Sequence, residues 1–272
     1  MRMDATRPAP PETAPEDPIL LTDPIIIPSL EDCALLLDVD GTLLELAPTP
    51  SEVVVPPDLR TAMDSLLQRT GGALALVSGR SIRDLDMIFA PAKFPAVGGH
   101  GAEMRLTPGG SVTSSKIQPI DPDLKRRFAK IAELDPGILL EDKGYSLALH
   151  FRQAPQAEQA IYDAVSTIRA ELSEAPLEVL PGKSVCEIKP SGFNKASGVR
   201  ELMQFSPFKG RVPVFLGDDV TDETVFAIMP DLQGHAFSVG RLAKGVTGHF
   251  KDPSHVRAWL TQLLGREEII AL

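Results

Sequence analysis

The stretch Ala34-Leu35-Leu36-Leu37-Asp38-Val39-Asp40-Gly41-Thr42 decides the fold. Its first four residues are apolar without alternation, the pattern of a short strand buried on both faces of a parallel sheet. The run ends in two carboxylates one residue apart, followed by Gly41 and Thr42. Period-two geometry sends Asp38 and Asp40 to the same side if the strand runs on. Gly41 favours a loop instead, which sets the pair at the strand's carboxyl end. In open α/β sheets ligands bind at that edge. An acidic turn is the plain alternative, since Asp and Gly are ordinary turn residues. Two acids with Gly-Thr directly behind a buried strand fit that alternative less well.

Outward from this stretch the chain alternates strand and helix. Leu59, Met63 and Leu66 repeat at helical spacing and predict a helix from near Asp58. Ala73–Val77 is a second buried strand ending at Ser78-Gly79-Arg80, and Ile82, Leu85 and Phe89 mark the next helix. This alternation predicts an α/β, doubly wound parallel sheet. From about residue 108 the character changes. Helix (121–134), two strands (137–142 and 145–152), helix (156–174) and two more strands (177–180 and 184–189) give the order αββαββ, a smaller α+β cap inserted in the larger domain. After Pro190 the parallel pattern resumes with a helix opened by Lys195, a strand over Val212–Leu216, and Gly217-Asp-Asp-Val-Thr-Asp-Glu223. The expected limits are a proline-rich tail over 1–28, a catalytic core over 29–107 and 191–272, and a cap over 108–190. The tail carries seven prolines and is expected to be mobile, with Ile25–Ile27 docking on the body.

Composition narrows the function classes. A net charge of −10 without a basic block argues against nucleic acid as a partner. An anionic substrate must then be held by a few local cations and a metal rather than by the overall field. No apolar run approaches the ~18 residues of a membrane span, and no signal-peptide core is present. Cys33 and Cys186 have no metal-like spacing and read as reduced core thiols. A cytoplasmic monomer is expected.

Asp38-Val-Asp-Gly-Thr42 in this setting resembles the nucleophile motif of the haloacid dehalogenase-like (HAD) phosphatases and phosphotransferases. The resemblance implies Asp38 as nucleophile and Asp40 as general acid and base, with Gly41 and Thr42 beside the phosphate. It also implies a Mg²⁺ site in which Asp38, Asp218 and the main-chain carbonyl of Asp40 ligate directly. Asp219 and Asp222 would hold metal-bound waters or orient other groups. Acids in a first helical turn are also favoured by the macrodipole alone, which covers Glu223 better than Asp222. Ser78 and the amide of Gly79 are candidates to bind a phosphoryl oxygen, with Arg80 as a further substrate-binding residue and Lys195 at a helix start to neutralise it.

Alternation places Leu147, Leu149 and Phe151 toward the cap helices, and Ser146, His150 and Arg152 on the other face. Glu187 and Lys189 should share that polar face, with Glu141 or Lys143 at its edge, which suits a hydroxyl-rich ligand. The Gly217–Glu223 loop, Gly99-His-Gly-Ala-Glu103 and the run from Glu187-Ile-Lys-Pro190 to Asn194-Lys195 look like the trehalose-6-phosphate phosphatase family. The likeness covers the chain from about Ala34 onward. It implies sugar contacts from Lys143, His150, Lys183 and Glu187, and from His100 and Gly101 at the body–cap junction, with trehalose 6-phosphate as the small-molecule partner. One departure is Ala196, where glycine is expected after the lysine. Rival readings are another capped sugar-phosphate phosphatase, for sucrose phosphate or a mannosyl-phosphoglycerate, a phospho-accepting receiver module, and a catalytically silent homologue.

Overall fold

A computed structural model describes residues 27–47, 52–114, 120–172, 177–182 and 184–265. The tail expected over 1–28 lies almost wholly outside them, but Ile27 packs against the core as anticipated. In chain order the first half-domain comprises β1 (Cys33–Leu37), α1 (Pro57–Arg69), β2 (Leu74–Val77), α2 (Ile82–Ile88), β3 (Ala96–Gly98), β4 (Glu103–Arg105) and β5 (Thr113–Ser114). The inserted unit follows: α3 (Pro122–Ala132), β6 (Leu139–Asp142), β7 (Leu147–His150), α4 (Glu158–Glu171), β8 (Leu177–Gly182) and β9 (Val185–Pro190). The chain then returns through α5 (Lys195–Leu202), β10 (Val212–Gly217), α6 (Glu223–Phe226), β11 (His235–Val239), β12 (Gly248–Phe250) and α7 (Pro253–Gly265).

The larger sheet has the order β12-β11-β10-β1-β2-β3-β4-β5. It is parallel from β12 to β3. The last two strands, β4 and β5, run antiparallel at one edge. Because β5 pairs with β4, the large sheet reaches past residue 107, where the cap was expected to begin. We place that boundary after Ser114. A two-residue strand carries too little periodicity to be read from sequence.

β1 is buried on both faces, as its unbroken apolar run requires. Leu35 and Leu37 pack with α1, α2 and α7 on one side, while Ala34 and Leu36 meet α5 and α6 on the other. The inserted unit is a four-stranded antiparallel sheet ordered β6-β7-β9-β8. One of its faces is closed by Leu124, Phe128 and Ile131 of α3 and Ile161, Val165 and Ile168 of α4, which meet Leu147, Leu149 and Phe151. Its other face turns to the large sheet. Ala196 causes no difficulty in α5, which is capped by Asn194 and Ser197. The close approach there falls to Gly198, where a Cβ would meet Val97 at 2.4 Å.

Candidate active site

The strand order β10-β1-β2 sets three carboxyl ends side by side, and each ends in a polar residue: Asp218, Asp38 and Ser78. The chain leaves β1 for β2 in one direction, and β10 is added on the other side. The site therefore lies at the switch point of the sheet. Backbone bonds hold the strand ends in register, from Asp38 N–H to the Leu216 carbonyl (3.0 Å) and from Ser78 N–H to the Val97 carbonyl (2.9 Å).

Lys195, the first residue of α5, reaches between two carboxylates, with Nζ 2.8 Å from Asp38 and 2.7 Å from Asp222. All three are buried. Burial alone would lower the lysine's pKa, but Asp222 and Asp38 hold it well above the ordinary value. Burial pushes the Asp38 carboxyl up to about 7, with Lys195 pulling down and Asp222 pushing further up. Thr42 donates its hydroxyl to the second Asp38 oxygen (2.9 Å). Asp222 accepts from the Asp218 and Asp219 amides (3.0 Å each), so both its oxygens are engaged. Gly41 has φ +81°, and a Cβ there would fall 2.2 Å from an Asp218 oxygen. The glycine of the motif is thus what lets Asp218 approach Asp38.

Carboxylate oxygens of Asp38, Asp218 and Asp222 lie within 4.8 Å of one another. These are hard oxygen donors around a concentration of buried negative charge that one lysine does not cancel, and they fit Mg²⁺. Asp219 is outside that group. Its side chain instead accepts from the Val220 amide at 2.7 Å.

Ser78 is buried, with Oγ accepting from Arg80 N–H at 3.1 Å. A Cβ on Gly79 would fall 2.5 Å from the His100 ring, so only glycine lets the ring lie against this loop. His100 N–H donates to the Ser78 carbonyl (3.0 Å), and His100 itself takes a left-handed φ of 55°. The Arg80 fork is placed on Asp40: Nε lies 2.5 Å and Nη2 2.7 Å from its two oxygens. Gly101, with φ +105°, backs onto the carbonyl of Asn194.

A cleft of ≈ 210 Å³ separates this floor from the cap sheet. Glu187 hangs from the cap and is fully engaged. It receives Lys143 (3.0 Å), the Ser146 hydroxyl (2.6 Å) and His100 Nε2 (3.0 Å). Burial would raise its pKa, but Lys143, then His100 and Ser146, hold it well below the carboxylate range. Burial outweighs the pull of Glu187 on His100 and lowers the imidazole's pKa. A neutral ring facing a carboxylate carries its proton on Nε2. His150 pairs with Glu141 (2.8 Å) in the same cleft, and Arg152 donates to the Ala47 carbonyl. Lys189 turns away, toward Glu178 and the Phe193 carbonyl. Lys183 lies outside the described residues.

The family model "Trehalose-phosphatase" matches residues 36–254. The chain is 39% identical over 230 residues to the trehalose-6-phosphate phosphatase of Escherichia coli K12, covering 85% of this chain and 86% of that protein. It is 40% identical over 213 residues to a probable trehalose-phosphate phosphatase of Sinorhizobium fredii, covering 78% of this chain and 79% of the relative. The chain belongs to the trehalose-phosphatase family. As a trehalose-phosphatase family member it is a phosphoric monoester hydrolase. The C-terminal domain of the C. albicans trehalose-6-phosphate phosphatase shares its fold, with a TM-score of 0.77 at 21% identity over 86% of this chain and 92% of that one.

Sequence reasoning put Glu141 only at the edge of the cap's polar face and left Ser146 and Arg241 without a role. Ser146 and Glu141 sit on the predicted polar face of the cap sheet, so alternation points to them. Arg241, whose Nε donates to the Asp218 carbonyl at 2.7 Å, follows β11 with no motif to mark it. Among the described residues no helix is long and apolar enough to cross a membrane.

Proposed function

We propose that the chain hydrolyses trehalose 6-phosphate to trehalose and inorganic phosphate through an aspartyl-phosphate on Asp38. The observation that carries this reading is the buried Asp38–Lys195–Asp222 arrangement at the sheet's switch point, facing a cleft roofed by paired acids and bases. Phosphate monoesters hydrolyse so slowly unaided that enzymes supply up to ~10²¹-fold. A carboxylate nucleophile divides the reaction into two displacements. Asp38 attacks phosphorus, the bond to the sugar oxygen breaks, and Asp40 gives that oxygen a proton. Asp40 then takes a proton from the water that attacks the aspartyl-phosphate, freeing phosphate and restoring Asp38.

Lys195, the Ser78 hydroxyl and the Gly79 amide line the place where negative charge collects on the phosphoryl oxygens. Asp38 and Asp218 would hold Mg²⁺, joined by the main-chain carbonyl of Asp40. Asp219 and Asp222 support that set, Asp222 by fixing Lys195 and the 218–219 amides. When bound, the ion neutralises phosphate and carboxylate charge. Glu187, Lys143 and His150, with His100 and Gly101 below, form the sugar side, and the family resemblance adds Lys183 as a sugar contact. The enzyme is read as a cytoplasmic monomer with no nucleic-acid or membrane partner.

The test is phosphate release from a panel of sugar phosphates, with Mg²⁺ and with chelator. Selective, Mg²⁺-dependent turnover of trehalose 6-phosphate is expected. Equal kcat/KM on sucrose phosphate would reject the substrate assignment. Substantial multiple turnover by a folded Asp38→Asn variant would reject the mechanism.

A further inference from the structure

We propose that Arg80 is the positioning residue for Asp40 rather than a ligand of the substrate phosphate. The inference rests on Asp40 acting as general acid and base. Both nitrogens of the fork engage both carboxylate oxygens, at 2.5 and 2.7 Å, and the pair is mostly shielded, with side chains 15% and 28% exposed. Among the described residues, the side-chain hydrogen bonds to Asp40 come from this guanidinium. A planar fork fixes the plane and rotamer of a carboxylate, which a lysine's point charge does not. A carboxylate offers about four lone-pair sites, so two oxygens held by Arg80 each retain one for a proton in flight.

The arginine is itself held at both ends of its peptide unit. Its N–H donates to the Ser78 hydroxyl (3.1 Å), and its carbonyl accepts from Gly99 N–H (2.7 Å). The next residue, Ser81, caps α2 by accepting from the Asp84 amide. Ser-Gly-Arg therefore does two jobs on one rigid loop. Ser78 and Gly79 face the phosphate, and Arg80 reaches across to hold the acid that serves the leaving group. Asp40 needs this help because its own backbone sits in the turn after β1, where Gly41 N–H bonds the Leu44 carbonyl, and not in the sheet.

The test uses leaving-group dependence. A sugar alkoxide cannot depart without a proton, whereas p-nitrophenolate can. General acid catalysis contributes typically ~10²–10⁴-fold. Arg80→Gln is therefore expected to lose kcat/KM on trehalose 6-phosphate by about 30-fold more than on p-nitrophenyl phosphate, because kcat/KM covers the steps through departure of the leaving group and not the later hydrolysis common to both. Asp40→Asn should show the same pattern, and Arg80→Lys should remain impaired for want of the fork. Added guanidinium ion should partly restore trehalose 6-phosphate turnover to Arg80→Ala, with circular dichroism reporting that the variants fold. Equal kcat/KM losses of Arg80→Gln on both substrates would overturn the positioning role if Asp40→Asn still discriminates. If Asp40→Asn itself fails to discriminate, the acid–base reading of Asp40 falls and the inference falls with it.

Discussion

Lys195 is shared by two buried carboxylates, and its loss would leave both facing each other. Breaking a buried pair by removing one partner typically costs about 3–5 kcal/mol, because the remaining charge is uncompensated. Lys195→Met should lose about that much in urea unfolding without metal, together with turnover. Adding Asp222→Asn should return part of the stability, since the amide oxygen still accepts from residues 218 and 219, while activity stays lost. A double variant no more stable than the single one would show that the lysine matters for packing and not for charge. The meeting of Asp38 and Lys195 was legible because strand and helix boundaries bring them to one edge. The need for Gly41 was legible only as a turn. Its closer cause, the Asp218 carboxylate lying against it, involves a residue far along the chain.

The Gly99–Gly101 turn is the element on which the cap rests. Tyr145 covers Gly99, Glu187 bonds His100, and the His100 ring lies against Gly79 of the Ser78–Arg80 loop. Contacts therefore run from the cap through one imidazole to the loop proposed to bind phosphate. A His100→Gln/Glu187→Gln double-mutant cycle in kcat/KM should give a coupling energy, whereas additive losses would deny the connection. The same pair predicts a pH dependence. His100 titrates below 6.5 when folded, so under that pH the unfolded chain binds more protons and stability is lost as pH falls. Glu187 is lowered from 4.5, so its contribution is retained above that value and declines only below it. Asp38 is raised and works in the opposite sense over part of the range, but it is common to parent and variant. Between pH 4.5 and 6.5, His100→Gln should lose stability with falling pH less steeply than the parent; identical slopes would remove His100 from the account. Alternation along Ser146–Arg152 was enough to read which residues face the cleft. It could not tell that Glu187 is already held by His100, because that contact joins residues 87 apart.

At the scale of the whole molecule the chain buries separate cores. Two flank the large sheet and share its strands, while the third, built from α3, α4 and the cap strands, has no residue in common with either. The αββαββ order made this division legible. The short edge strand β5 blurred its boundary, because two residues give no period to read. Separate cores meeting across a polar cleft favour two unfolding transitions, since inter-domain contacts of this kind are poor carriers of cooperativity. The acidic cluster belongs wholly to the body, through Asp38, Asp218 and Asp222. A ligand that binds only the folded form stabilises by RT ln(1 + [L]/Kd), about 2.7 kcal/mol at 100-fold over Kd. In scanning calorimetry Mg²⁺ should therefore raise the body transition and leave the cap transition in place, and Asp218→Asn should abolish that shift. Trehalose added with Mg²⁺ and a phosphate mimic touches both sides of the cleft, so it should raise both transitions together. If Mg²⁺ alone moves both equally, the two units unfold as one, and the cap's independence would have to be given up.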